Sequence, residues 1–481
     1  MLINNHQRLV EKWAPVLNAE GAPKITDSYR LAATAQLLEN QEKAIFEERR
    51  SGNELLSEST NVMGGSTPGG GPNIDTWDPV LISLVRRSAP NMIGFDIAGV
   101  QPMTGPVGLV FAMKSRYVDG SPPGLSTSST EALYQEADSS FSGTGTQGAD
   151  SSSLPTAANV YGGGDPDASP VVPDSWSNTN DSGLDGLSDT FGYGTGHTTA
   201  VGETLTGAAD PGAANYLNEM GFTIERTAVT AITRALRSTY TVELVQDLRA
   251  VHGLDAESEL ANILSTEVLA EMNREVIRTV NQKAKLGARH AGLTNVANGG
   301  PGGVFDLATD ADGRWSIEKY RGLLMQMDRE ANAIGKDTRR GRGNFCLVSS
   351  DVASALNAAG ILAYDVSNAG AGLTVDDTGN TFAGTIGGRI KVYIDPYSTV
   401  DYMTIGYKGS SPSDAGLIFS PYIPLTPYKA IDPQSYQPSI AFKTRYGLIA
   451  NPFAEDVPQS GTGTNRSNKY FRIFRVANIL A

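Results

Sequence analysis

Residues 255–285 read DAESELANILSTEVLAEMNREVIRTVNQKAK, and the period of their apolar positions sets the architecture. Leu260, Leu264 (beside Ile263), Val268, Met272, Val276 and Val280 recur at spacings of four, which puts them on one face of a helix. Asp255 is a good N-cap, Glu257 and Glu259 suit the positive helix N-terminus, and Arg278, Lys283 and Lys285 suit the other end. The spacing predicts a helix over 255–286. Such a helix runs about 45 Å at 1.5 Å per residue, well above the globular average, and marks a structural spine.

Upstream of the spine the period changes to two. Over 222–242 the even positions Phe222, Ile224, Ala228, Ile232, Leu236, Tyr240 and Val242 carry most of the apolar character. Over 107–117 the odd positions Val107, Leu109, Phe111 and Met113 do the same. Both stretches read as half-buried strands, and together as the two strands of one long hairpin.

What separates those strands is chemically distinct. Between Arg116 and Arg226 there is no lysine or arginine but 15 Asp and Glu residues, so this tract accounts for the net charge of −14. About 60% of positions 121–220 are Gly, Ser, Thr, Asp, Asn or Pro, a composition compatible with disorder. Leu133, Tyr134, Phe141, Val160, Tyr161, Val171, Val172, Trp176, Phe191, Tyr193 and Leu217 could instead anchor a small loop-rich β core. The two readings are a compact insertion domain and a mobile loop. The first is the expectation.

Before the first strand, Asp27-Ser28 is a plausible N-cap for a helix through Leu31, Ala35, Leu38 and Ile45, ending at Ser51-Gly52. Residues 61–72 have the composition of a flexible linker, and Trp77-Asp78-Pro79 opens a short helical stretch to Arg87. The N-terminal region therefore reads as a helical appendage on a hinge. Beyond the spine, 316–334 reads as a helix capped by Ser316, and Asn344 to Val348 as a strand leading into a helix near Asp351. Further strands are expected at 389–394, 402–407, 417–425 and 439–449, and 470–476 alternates like a strand returning to the main sheet. The fold class is α+β.

The residues offer little for chemistry. The four histidines His6, His197, His252 and His290 are scattered, and Cys346, the one cysteine, sits in an apolar run and excludes an internal disulfide framework. No Gly-x-Ser-x-Gly elbow and no phosphate-binding Gly-Lys-Ser/Thr loop occurs. Asp310-Ala-Asp312-Gly313 resembles a calcium loop, but the first and twelfth ligand positions fall on Ala308 and Lys319, so an Asp-Gly turn is the better reading. The one dense basic cluster, Lys336 with Arg339, Arg340 and Arg342, lacks interleaved aromatics; it reads as a loop pairing with acidic groups of a neighbour. A pI near 4.9 argues against general attraction to nucleic acid. No apolar run approaches a membrane span, and the N-terminus lacks the regions of a signal peptide. No enzyme, cofactor or metal site is expected. The design is one of assembly.

Several blocks carry a family resemblance: Asp78-Pro-Val-Leu-Ile-Ser-Leu-Val-Arg-Arg-Ser-Ala-Pro-Asn-Met92, Gly99-Val-Gln-Pro-Met-Thr-Gly-Pro106, Phe111 to Tyr117 and Val251 to Glu267. Asn344 to Ala355, Asp376 to Gly384, Lys391 to Tyr397 and Phe442 to Gly447 continue it. In order, these resemble the major capsid proteins of T-even-like tailed phages. The resemblance implies the Hong Kong 97-type capsid fold, with the chain divided as follows: a propeptide over 1–58, an N-terminal arm over 59–106, and extended-loop strands over 107–117 and 222–242. The acidic insertion domain then spans 118–221, a peripheral domain 243–315 carries the spine at 255–286, an axial domain spans 316–435, and 436–481 returns to the peripheral domain. It further implies hexamers that enclose DNA in a phage head, assembled in the host cytoplasm.

Implied partners are a vertex protein, a portal, a scaffold core, a maturation protease, decoration proteins, and a host chaperonin with a phage co-chaperonin. The implied protease cuts after Glu in Leu/Ile-x-Glu. Six such tripeptides occur, ending at Glu11, Glu39, Glu47, Glu58, Glu219 and Glu271. Leu56-Ser57-Glu58, followed by Ser59, lies between the helical tail and the Gly-rich linker, where a protease can take an extended backbone. Cleavage is expected between Glu58 and Ser59. Some proteins of the wider fold crosslink through an extended-loop lysine; residues 117–225 hold none.

Overall fold

A computed structural model describes residues 2–17, 28–50, 92–118, 131–133, 137, 141–143, 195–205, 217–289, 293–297, 302–311, 313–360, 362–364, 381–411, 413–432, 437–454 and 466–479. The linker at 61–72, the helical stretch at 77–87 and most of the acidic tract lie outside these residues. In chain order the elements are α1 (Leu2–Leu17), α2 (Ser28–Arg50), α3 (Gly94–Ile97), β1 (Gly99–Val100), β2 (Val107–Tyr117), β3 (Met220–Thr230) and β4 (Ile232–Thr239). There follow α4 (Val242–His252), α5 (Ala256–Lys283), β5 (Ala284–Leu286), β6 (Val304–Asp306), α6 (Ser316–Thr338), β7 (Phe345–Ser349) and α7 (Ser350–Ala358). The C-terminal strands are β8 (Leu362–Tyr364), β9 (Thr381–Ile386), β10 (Ile390–Asp395), β11 (Tyr402–Gly406), β12 (Leu417–Ile431), β13 (Pro438–Ala450) and β14 (Asn468–Ala477).

The chain divides into two compact units. The first comprises Met1–Val110, Ala228–Lys285 and Gly343–Ile473, and the second Phe111–Thr227, Leu286–Arg342 and Phe474–Ala481.

In the first unit the long strands β12 and β13 pair antiparallel from Leu417↔Ala450 to Ile431↔Pro438, and β4 joins β13 from Ile232↔Tyr446 to Thr239↔Ser439. β1 adds in parallel on the other side, giving the order β1-β12-β13-β4. Pro421, Pro424 and Pro427 cannot donate to a ladder; the register of β12 shifts between Pro421 and Ile423 and again before Thr426, where bulges absorb the first two, while Pro427 keeps its register opposite Phe442. A second sheet runs β14-β11-β7-β10-β9-β8, with β7 parallel to β10 and antiparallel to β11. β7 is buried on both faces, which explains its unbroken apolar run Phe-Cys-Leu-Val. A Cβ at Gly406 would overlap the Phe345 ring, so only glycine fits there.

The spine α5 lies across the first sheet. Val268, Met272, Val276 and Val280 pack with Phe419 and Phe442 in one core. Two polar locks fix it. Arg234 on β4 donates to Glu271 (3.1 Å) and Glu275 (2.7 Å), and Glu275 also accepts from the Tyr446 hydroxyl. Burial, then the Glu275 partner, push the Tyr446 phenol above its usual range. At the other face Asp395, 2% exposed, accepts from Arg274 Nη1 (2.5 Å) and the Tyr402 hydroxyl (2.8 Å), while Thr404 donates to Asn281 (2.8 Å).

Several expectations need correction. The stretch 222–242 is not one strand: β3 ends at Thr230, Ala231 N–H bonds to Pro106 O (2.9 Å), and β4 leaves the hairpin to pair with β13. Its last residues belong to α4, capped by Thr241, whose side chain accepts from Leu244 N–H, and ended by Gly253 in the left-handed region (φ 66°). The spine stops at Lys283; Lys285 is buried in β5 rather than capping the helix, and Ile263 is exposed. Asp255 occupies the N-cap position without a side-chain cap bond. The α6 start is held by Glu318, which accepts from Arg314 N–H (2.9 Å), not by Ser316.

In the second unit, α6 buries Leu323, Met327, Ala331 and Ile334, and buried Glu330 accepts from Ala288 N–H (2.8 Å) and Gln326 (2.7 Å). β6 pairs in parallel with the end of β14, Arg475↔Val304 to Ala477↔Asp306.

Candidate assembly surfaces

β2 and β3 form a two-stranded sheet of their own, and its two faces differ in kind. On one face Arg116 donates to Thr223 (3.0 Å) and pairs with Glu225 (2.6 Å), and Lys114 lies 3.5 Å from the same carboxylate. On the other, Val107, Leu109, Phe111 and Met113 of β2 and Met220, Phe222 and Ile224 of β3 are all exposed, from 43% at Leu109 to 70% at Met113. The strand alternation foresaw the apolar face, but as half-buried. Among the described residues no second layer covers this two-stranded ribbon, and an exposed apolar stripe of this kind marks an interaction surface.

Further exposed apolar side chains follow the hairpin: Val242, Leu244 and Val251 on α4, Leu254 in the link after it and Ile263 on α5 are each at least 47% exposed, and α4 itself went unread in the sequence. The signal was available in the Thr241 cap, Glu243 in the first turn and Gly253 at the end, which together spell a short helix.

At the root of the acidic tract, Glu131 bridges to Arg116, Ala132 N–H bonds to Ser115 O (2.8 Å), and the Phe141 ring lies 4.4 Å from Tyr117. Leu133 and Leu217, expected as core anchors, are exposed; Tyr134, Val160, Tyr161, Val171, Val172, Trp176, Phe191 and Tyr193 lie outside the described residues.

The residues weighed for chemistry are placed as follows. Cys346 is fully buried and burial pushes its thiol well above the usual range, the opposite of a nucleophile. Asp310 accepts from Asp306 N–H (3.0 Å) and Asp306 from Ala308 N–H (2.9 Å), which makes this stretch a hydrogen-bonded turn. Arg342 pairs within its own chain with Asp328, and Arg339 ends α6 in the left-handed region, so part of the basic cluster serves the fold. Among the described residues no group of three or more His, Cys, Asp or Glu is placed to hold a metal. Leu56, Ser57, Glu58 and Ser59 lie outside the described residues.

Residues 74–476 match the family model described as Major capsid protein Gp23. The chain belongs to that family. It is 38% identical to the major capsid protein of Vibrio phage KVP40, over 96% of this chain and 98% of that one, and 35% identical to that of Enterobacteria phage T4 over the whole of both. The capsid vertex protein of Enterobacteria phage T4 is 28% identical over 48% of this chain and 53% of its own. Solved structures similar to it include the capsid of Myoviridae phage XM1 (TM-score 0.32, 8% identity, 56% of this chain and 81% of that one). The mature capsid of bacteriophage PhiM1 is comparable (TM-score 0.33, 13% identity, 57% and 79%).

As a member of the family, the chain is a major capsid protein forming the shell of a T4-like phage head, and its described elements are mixed α+β. Its role is structural and its place is the virion. Shell formation needs self-complementary surfaces, and the hairpin stripe is the exposed apolar face described above.

Proposed function

We propose that the chain builds the head as hexamers in which the apolar stripe of the β2–β3 hairpin lies on a neighbouring subunit. The stripe carries this reading: seven exposed apolar side chains on one face of a ribbon that no other described element covers. Identity over the full length to major capsid proteins, against half the length to vertex proteins, favours the hexameric role over the pentameric one. The subunit has no enzymatic activity of its own.

The same reading assigns 59–106 to an N-terminal arm, 118–221 to an insertion domain, 243–315 with 436–481 to a peripheral domain and 316–435 to an axial domain. Residues 1–58 are removed by a maturation protease cutting between Glu58 and Ser59. Further partners are a vertex protein, portal, scaffold core and decoration proteins, with a host chaperonin and phage co-chaperonin during folding, in the host cytoplasm. Electron microscopy of the expressed protein tests the oligomer directly. Hexamers, or tubes and sheets of hexamers, are expected; closed pentamers alone would assign the chain to the vertex.

A further inference from the structure

The N-terminal helices are not a free tail. α1 and α2 share a small apolar core of Trp13, Leu17, Ala35 and Leu38, tied by Lys12 to Glu39 (2.8 Å). The other side of α2 is docked on the first unit. There Ala33 enters the main core, Arg30 pairs with Asp96, and Asn40 Nδ2 donates to both Met103 O (2.6 Å) and Tyr422 O (3.0 Å). Gln36 in turn donates to Asn40 Oδ1 (3.0 Å). Tyr422 O sits where β12 is bulged, between Pro421 and Thr426, and Met103 is tied there by its N–H to Pro421 O (3.0 Å).

The docked face is unusually polar for a buried one. Thr34, Gln36, Asn40 and Gln41 are each 6% exposed or less. Gln41, at 3%, leaves both Nε2 and Oε1 without a hydrogen-bond partner. A buried amide with no protein hydrogen-bond partner opposes the docked state, whereas a permanent core would place a Leu or Met there. Polar faces of this sort characterise surfaces that separate, and α1 supplies α2 with an apolar partner it keeps on leaving.

We propose that α1–α2 is a metastable latch on the β12 face: Asn40 and Ala33 hold it closed, Gln41 sets it close to opening, and it opens as a folded pair while the body stays intact. Opening uncovers the Met103 and Tyr422 carbonyls and the pocket filled by Ala33. The inference rests on the docking geometry, not on the cut after Glu58, and is tested without protease.

In the full, uncut chain, Ala33→Cys places a thiol in the docked face, and fully buried Cys346 serves as the internal reference for global unfolding. Under native conditions a thiol reagent should modify position 33 at least tenfold faster than Cys346. Gln41→Leu should slow modification at position 33 about tenfold, and Asn40→Ala should speed it about tenfold, each equal to about 1.4 kcal/mol. The Cys346 rate should not move in either variant. Equal rates at the two thiols, or no slowing with Gln41→Leu, overturn the proposal. Should Gln41→Leu not fold, Gln41→Met carries the same expectation, and Thr34→Cys replaces the first probe if needed.

Discussion

Phe222→Asp places a carboxylate in the middle of the hairpin stripe. Fully burying a side chain of this size stabilises by about 1.5–3 kcal/mol, and Phe222 is 62% exposed in the subunit, so covering the remainder contributes about 1–2 kcal/mol. The substitution removes that gain and adds the desolvation of a charge at the contact, for a total of about 2–4 kcal/mol per subunit contact. At 1.4 kcal/mol per decade, the concentration at which assembly sets in should rise roughly 30- to 700-fold. The isolated subunit should lose no more than about 0.5 kcal/mol, because the native side chain is exposed there. Light scattering against concentration reads the first quantity and urea denaturation of the unassembled subunit reads the second. If Phe222→Asp combined with Met113→Asp assembles at the wild-type concentration, the stripe is not a subunit contact. A large fall in subunit stability would refute the reasoning by a different route, since the face would then be covered internally.

Asp395→Asn should cost about 3 kcal/mol of stability, because it removes the charge paired with Arg274 at a site only 2% exposed; a loss under about 1 kcal/mol counts against the lock. N-terminal sequencing of protein from particles should begin at Ser59, and Glu58→Gln should leave residues 1–58 attached; any other start rejects the assignment. Burial acts to raise the Glu39 carboxyl, but the hydrogen bond and charge of Lys12, helped by Trp13, hold it below 4.5. A depressed folded-state value gives a contribution that is present above 4.5 and lost as pH falls through the lowered value. The protection of α1–α2 amides in the wild type over Lys12→Met should therefore be constant near neutrality and shrink below about pH 4.5, by hydrogen exchange.

The spine was legible because its signal is local. Six apolar residues at spacing four fix a helix face whatever it packs against, and Val268, Met272, Val276 and Val280 are all buried. The stretch 222–242 was only half legible, because period two continues straight through Ala231 while the pairing partner changes. The identity of that second partner, β13, lies about 200 residues downstream, and nothing near Ile232 encodes it. Alternation likewise marked Phe222 and Ile224 as one face without telling whether the chain itself covers that face. The docking of α2 left no trace at all: nothing in the sequence marks Asn40 as a buried donor, and only the fold brings β12 against it. The processing residues Leu56 to Ser59 were reached through the family resemblance and their Gly-rich surroundings, not through any chemistry of their own.

The hairpin also constrains how such a shell can be held together. Residues 117–225 contain no lysine, and the nearest one, Lys114, stands 3.5 Å from the Glu225 carboxylate on the face opposite the stripe. No residue of 117–225 can therefore supply the amine of an amide crosslink, and Lys114, used from the polar face, would first have to break that pair. Per subunit the stripe offers seven side chains at about 1–2 kcal/mol each before the cost of association, enough for a reversible contact between two copies and decisive when repeated around a ring. Weak, repeated contacts let misplaced subunits leave before the lattice closes. The 15 carboxylates between Arg116 and Arg226, of which Glu225 is paired with Arg116, act in the same direction, since like-charged tracts on adjacent hairpins repel and the repulsion is screened by salt. Assembly of the wild-type chain should accordingly become more favourable as ionic strength rises, and Phe222→Asp should show the same salt trend displaced to higher protein concentration.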